Sequence, residues 1–404
     1  MVFGMKTEPS TKKPFPAYLV FDMDFTLVIA DISAEFFREI AKQNGLPEFT
    51  FVEKLRQKID EIDPFITEWE AGKRKIPEKP AWLAEALKKG DTPYAGWAFE
   101  QVFSEMIPDI ASGKLRLDGK PITRVSLVEF AANRVKLMPG MRDLLKTISS
   151  SHLIGIKDCF IVTAGLKPFA EGVALQLAHT TKSGVRAIIP LQNIFGLDVL
   201  TTPDNRVCGL KNFHKNQKIA NVKKIEEFVR KDIVKKGWPT PKHGNPLCHL
   251  IYIGDGITDA PAMKYVASGG HRGGSGMTIQ LHPDEKLIRD GVIEFVFIGP
   301  NLQKLWKELI KPYIEASGDK KAKQKLRKQI GGGMPAKTSL LHRYEIFLGK
   351  IYGRQAPSDR LPRIAKWQRQ YLTQQKRSQK IKMWLSRYRE GIKRGFNRTL
   401  KRHR

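Results

Sequence analysis

The sequence predicts an α/β fold: a doubly wound, mostly parallel sheet with an inserted helical cap and a basic helical C-terminal extension. Three observations predict it. Short apolar runs at Tyr18–Phe21, Asp158–Val162 and His249–Ile253 each stop at acids or a hydroxyl, as buried parallel strands do. Between the first and second runs, apolar residues recur mainly at helical spacing. The charge is segregated: Ser317–Arg404 holds 26 Lys+Arg against 4 Asp+Glu, out of 70 and 41 in the 404-residue chain. The body is therefore ordinary in charge and the end is strongly basic.

Tyr18 to Val28 reads Y-L-V-F-D-M-D-F-T-L-V. A strand interior rejects carboxylates, because a buried charge must be paired or bind metal. Asp22 and Asp24 therefore belong at the strand's carboxyl end, where open α/β sheets bind ligands. Alternation along an extended chain points both to one side. Two carboxylates this close repel, and a hard cation would hold both ionised. On this stretch alone, an Asx turn closing a strand reads equally well.

Residues 1–16 carry lysines and prolines without an apolar core and read as a loose arm. Residues 31–137 read as a cap whose ends lie close together; a separate helical domain with no part in chemistry is the alternative. Within it, Ile32, Phe36, Phe37 and Ile40 line one helix face that stops at Gly45, and Asp31 stands where a helix N-cap would. Pro64–Lys89 carries Trp69 and Trp82 among charges, and Tyr94–Ile110 continues the helical pattern. Pro139-Gly140 marks a turn before a helix with Met141, Leu144, Leu145 and Ile148 on one face. The second strand ends at Thr163-Ala164-Gly165, which can offer a hydroxyl and backbone N–H groups to an anion, although such sequences are commonly plain turns. Ala187–Gly209 reads as short strands with turns at Gly196 and at Pro203-Asp204-Asn205. Lys211–Lys235 reads as a loop and a basic helix. The third strand ends Gly254-Asp255-Gly256-Ile257-Thr258-Asp259 before a helix, where the glycines admit a ligand and Asp259 can support Asp255. A turn with an N-cap is the bland reading there.

Three strand ends carrying Asp-x-Asp-x-Thr, Thr and Gly-Asp-Gly-x-x-Asp, in this order, resemble the haloacid dehalogenase superfamily, and within it the phosphoserine-phosphatase-like hydrolases. The likeness runs from about Ala17 to Tyr313 and is weakest in the cap. Asp22 to Thr26 is similar to the first family motif, Thr163 to the second, Lys218 to the third and Gly254–Asp259 to the fourth. Lys215 and Lys211 are rivals to Lys218. The resemblance implies a Rossmann-like core (17–30 and 138–316) and a Mg²⁺-dependent phosphomonoester hydrolase acting on a small phosphorylated substrate. It implies Asp22 as nucleophile and Asp24 as proton shuttle. Metal ligands would be Asp22, the backbone carbonyl of Asp24, and Asp255, which Asp259 orients. Thr163 and Lys218 would bind the phosphoryl group. Asp31 stands where the small phosphoserine phosphatases carry a glutamate for the substrate amine, so it either touches substrate or caps the helix. One methylene shorter, it argues against serine phosphate.

Residues 317–404 place Leu340, Tyr344, Phe347, Ile351, Trp367, Tyr371, Trp384 and Tyr388 at helical spacing among cations. Nucleic acid, an anionic membrane surface, a partner groove and simple packing on the body compete as readings. A non-catalytic nucleic-acid or ribonucleoprotein component that retains such a fold is the alternative to an enzyme. Gly331–Thr338 has Ala336 where a phosphate loop needs glycine, and reads as a hinge. Gly269–Gly276 reads as a mobile loop, with His271 and Arg272 as minor substrate candidates. Cys159, Cys208 and Cys248 form no CxxC pair, which fits a reducing, cytoplasmic setting without structural zinc. No stretch approaches the ~18 apolar residues of a membrane span.

Overall fold

The computed structural model of the chain describes residues 16–55, 57–58, 94–151, 153–180, 186–211, 218–237, 249–255, 259–267, 275–280, 295–296, 302 and 305–315. All belong to the first of two units, Met1–Tyr344; the second, Glu345–Arg404, lies outside the described residues. So do Trp69, Trp82, Lys215, His271, Arg272, the Gly331–Thr338 segment and all but Pro16 of the arm.

The chain runs β1 (Ala17–Asp22), α1 (Ile32–Gln43), α2 (Tyr94–Ala111), β2 (Arg116–Leu117), β3 (Lys120–Pro121), α3 (Arg124–Arg134) and α4 (Met141–Ser149). It continues through β4 (Cys159–Leu166), α5 (Lys167–Leu177), β5 (His179–Thr180), β6 (Arg186–Ala187), β7 (Ile194–Thr201) and β8 (Val207–Lys211). Then come α6 (Lys218–Lys235), β9 (His249–Gly254), α7 (Ala260–Ala267), β10 (Ser275–Gln280), β11 (Phe295–Val296), a π-helical turn at Trp306–Ile310 and α8 (Lys311–Glu315). Among the described residues no helix is long and apolar enough to cross a membrane.

Among the described residues the sheet has seven strands, in the order β11-β10-β9-β1-β4-β7-β8. Every neighbouring pair is parallel except the β7–β8 hairpin. All six residues of β1 are buried, as a central parallel strand covered on both faces requires. From β1 the chain order runs one way through β4 and β7 and the other way through β9 and β10. This switch point leaves a crevice beyond the carboxyl ends of the strands. The register sets Asp22 beside Val162 of β4, and Phe21 beside Ile253 of β9, so the polar ends of all three strands arrive together.

Alternation divides the core. Tyr18 and Val20 of β1, Phe160 and Val162 of β4 and Leu250 and Tyr252 of β9 meet Val222, Ile225, Val229 and Ile233 of α6. A second cluster joins the inserted helices to the core. Phe36 of α1 lies 5.4 Å from the rings of Phe130 on α3 and of Phe169 on α5.

The insert leaves and returns at one place. Val28 and Leu137 form an antiparallel bridge, flanked by Ile29 N to Lys136 O (3.0 Å) and Met138 N to Leu27 O (2.8 Å). The two-stranded β2–β3 hairpin interrupts its helices. Its last helix, α3, is clamped to α5: Arg124 Nη2 pairs with the buried Glu171 at 2.6 Å.

Three expectations are corrected. Gly196 is no turn but an interior residue of β7. A side chain there would come within 2.9 Å of Thr163 Cγ2 and 3.0 Å of the Lys167 backbone, so glycine serves close approach. The second strand does not stop at Val162 but continues to Leu166, with its register against β7 shifting between these residues. Ser275 and Gly276, expected in a mobile loop, begin β10.

A methyl group on Gly172 of α5 would sit 2.2 Å from the Val128 carbonyl oxygen. Gly172→Ala is therefore expected to lower stability by about 1–3 kcal/mol in urea unfolding. An unchanged unfolding midpoint would show that α3 and α5 do not pack this closely.

Candidate active site

Asp22 continues the Tyr18–Val20 row of β1, so its carboxylate faces α6 rather than α5. On α6, Lys218 stands one turn before Val222 on the same stripe as Ile225, Val229 and Ile233. The helix delivers an ammonium to the strand end by the periodicity that packs its apolar face. Lys218 is only 8 % exposed, and its Nζ lies 2.7 Å from Asp22 Oδ1 and 2.7 Å from Asp259 Oδ1. Lys211, by contrast, ends β8 in an exposed position.

Asp259 follows β9 and is fully buried. Its Oδ1 also accepts from the Tyr252 hydroxyl at 2.7 Å, and its Oδ2 accepts from Asp255 N at 3.1 Å. Asp259 therefore holds the backbone of Asp255 and the head of Lys218. The carboxylate oxygens of Asp22, Asp255 and Asp259 come within 4.8 Å of one another.

Asp24 is held apart from this cluster. The chain leaves β1 through a tight turn in which Leu27 N and Val28 N both bond Met23 O, at 2.9 and 3.3 Å. Phe25 takes φ 56°, a left-handed conformation that a large side chain rarely adopts, between the two turn residues Asp24 and Thr26. Thr26 is fully buried, and its hydroxyl has no partner among the described residues. Asp24 Oδ1 accepts from Ile32 N at 3.0 Å. Asp31 Oδ1 accepts from Ala34 N at 3.1 Å and caps α1, the second of the two roles weighed for it. Thr163 Oγ1 accepts from Gly165 N at 2.9 Å, which leaves the hydroxyl hydrogen directed elsewhere.

The electrostatics follow from burial. The Asp22 carboxyl is pushed up to about 6, by loss of water first and by the Asp259 charge next, against the pull of Lys218. Asp24 is raised well above the usual range by burial, then by Asp31 and Asp22. Asp255 is raised by burial, then by Asp22 and Asp259. Burial works to strip the proton from Lys218, but the charges of Asp22 and Asp259 outweigh it and hold the ammonium firmly. The Tyr252 hydroxyl is likewise kept protonated, by burial and the Asp259 charge. One ammonium cannot neutralise this many carboxylates. The donor set, all hard oxygens at strand ends, fits a divalent cation such as Mg²⁺.

Reasoning from sequence singled out every acid of this cluster, Thr163 and Lys218. It missed Tyr252, whose signal was a large hydroxyl-bearing ring in an apolar strand: a buried tyrosine hydroxyl needs a partner. It also missed Ser33, which lies beside Thr163 and Gly165.

No family model and no curated protein sequence matches the chain. Among solved structures, it is similar to a phosphoserine phosphohydrolase-like protein from Francisella tularensis subsp. tularensis SCHU S4. That likeness has 16% identity and a TM-score of 0.41 over 72% of this chain and 99% of the other. At this distance the likeness carries no argument about activity.

A carboxyl whose folded pKa is raised stabilises the fold fully below its unfolded value of 3.8 and loses that contribution as pH rises through about 6. In EDTA, the melting temperature of the wild type is expected to fall relative to that of Asp22→Asn over this window. Mg²⁺ added above it should restore the difference. Parallel melting curves for the two proteins across the window would refute the buried-carboxyl assignment.

Proposed function

We propose that the chain is a metal-dependent phosphomonoester hydrolase of the haloacid dehalogenase type that works through an aspartyl-phosphate on Asp22. The observation that carries this reading is the meeting of unlike groups at one switch point. A carboxylate held by an ammonium, a hydroxyl with its hydrogen available and a second acid anchored on a helix N-terminus face the same crevice.

In this reading Asp22 attacks phosphorus, forming a P–O bond as the ester P–O bond breaks. Asp24, kept protonated by its raised pKa, donates that proton to the departing oxygen. The resulting Asp24 carboxylate then takes a proton from the water that attacks the phosphorus and frees Asp22. Thr163 donates to a phosphoryl oxygen, and Lys218 holds Asp22 in place and offsets charge gathering in the transition state. Asp255, Asp22 and the backbone carbonyl of Asp24 would hold Mg²⁺, which when bound supplies charge neutralisation and polarises the phosphoryl group. Asp259 and Tyr252 keep Asp255 and Lys218 in position. The cap, 31–137, would exclude water from the crevice.

The basic tail is proposed to dock this body on a polyanion, either nucleic acid or an anionic membrane surface. Its net charge and interleaved aromatic residues support that role.

Asp22→Asn should reduce turnover of p-nitrophenyl phosphate by at least about 10³-fold while leaving the circular dichroism spectrum unchanged. EDTA should stop the wild-type reaction and Mg²⁺ should restore it. Wild-type rates in the variant, or indifference to chelation, would reject this function.

A further inference from the structure

The first turn of α1 carries a hydroxyl that the reaction above leaves unused. Ser33 is 6 % exposed, and its hydroxyl makes no hydrogen bond to another described residue. A hydroxyl that makes no bond within the protein and stands at the wall of a site is free to bond what enters the site. Its surroundings fix where it stands. A carbon placed on the Gly165 Cα would lie 3.3 Å from Thr163 Oγ1, 3.6 Å from Ser33 Oγ and 3.7 Å from Met23 Cε. Two hydroxyls and a methyl group thus wall one small space, which glycine at 165 leaves open.

Ser33 also stands on a definite side of the reaction. Its chain neighbour Ile32 donates the N–H that holds Asp24 Oδ1 at 3.0 Å. Asp24 is the group that protonates the departing oxygen. Thr163 faces the phosphoryl group, so the hydroxyl beside Asp24's anchor faces the alcohol being released.

We propose that Ser33 is a specificity-determining residue whose hydroxyl bonds a polar substituent on the alcohol portion of the substrate. The substrate class is then a phosphomonoester whose alcohol carries a hydroxyl or amine close to the ester oxygen. A plain aryl or alkyl phosphate lacks the group that Ser33 reads. The assignment rests on the phosphatase reading, because it uses the direction in which the ester is split.

The test compares the wild type, Ser33→Ala and Ser33→Thr on a panel of hydroxyl- and amine-bearing phosphomonoesters and on phenyl phosphate. Inhibition by inorganic phosphate is the control. In Ser33→Ala, KM for the best polar ester should rise about three- to tenfold, the loss of one hydrogen bond. KM for phenyl phosphate and Ki for inorganic phosphate should stay unchanged, which also certifies the fold. Ser33→Thr, which keeps the hydroxyl, should retain the preference. Equal changes for both ester types, no change for either, or a shifted phosphate Ki would overturn the role given to Ser33. So would a wild type that prefers phenyl phosphate to every polar ester, with the phosphatase reading intact. A wild type that splits no ester in Mg²⁺ overturns the phosphatase reading and the Ser33 role together.

Discussion

Lys218 sits between Asp22 and Asp259, 2.7 Å from each, and the site is arranged around that contact. Removing three charged groups from water costs more than one isolated pair recovers, so such a cluster is a poor source of stability. What it provides is position. The ammonium, on the first turn of α6, ties the end of β1 to Asp259 at the start of α7. It can do so because apolar packing has already brought those elements together. Tyr252 and the Asp255 N–H also bond Asp259, so the carboxylate between them has little freedom to turn. The geometry of the site depends on this fixed frame, and the frame depends on sheet topology.

That topology also explains why two acids a few residues apart sit in unlike surroundings. Asp22 lies on the α6 side of the sheet, beside a permanent positive charge. Asp24 lies in the turn that follows, bonded to a helix N-terminus, where the charges of Asp31 and Asp22 raise it and Lys218 only partly offsets them. Burial raises both, but only Asp22 has an ammonium in contact. The turn that holds Asp24 carries its own cost in the left-handed conformation of Phe25.

Much of this was legible because polar residues at the end of an apolar strand stand out. That rule drew attention to Asp22, Thr163 and Asp255, but each also read as a plain turn until the three strand ends were taken together, and Lys218 was chosen over Lys215 and Lys211 through the resemblance. Gly196 was misread because the sequence does not distinguish a glycine that bends the chain from one that lets two segments touch. The register shift after Val162 was hidden because nothing in the residues distinguishes an irregular strand end from a turn. Ser33 was invisible for a related reason: periodicity assigns residues to a helix face, but not which other segment that face meets. The union of α3 with α5 through Arg124 and Glu171 is of the same kind.

The bridge between Val28 and Leu137 has a consequence for how such a chain can change. It brings the two ends of this segment to one place on the sheet, and α1 and α3 then pack on α5. The entropy of closing a flexible loop grows only with the logarithm of its length, about 0.6 kcal/mol for each doubling. Material added or lost far from the bridge therefore barely changes the stability of the sheet. The strand ends that carry the acids can therefore stay where they are while loops far from the bridge change in length.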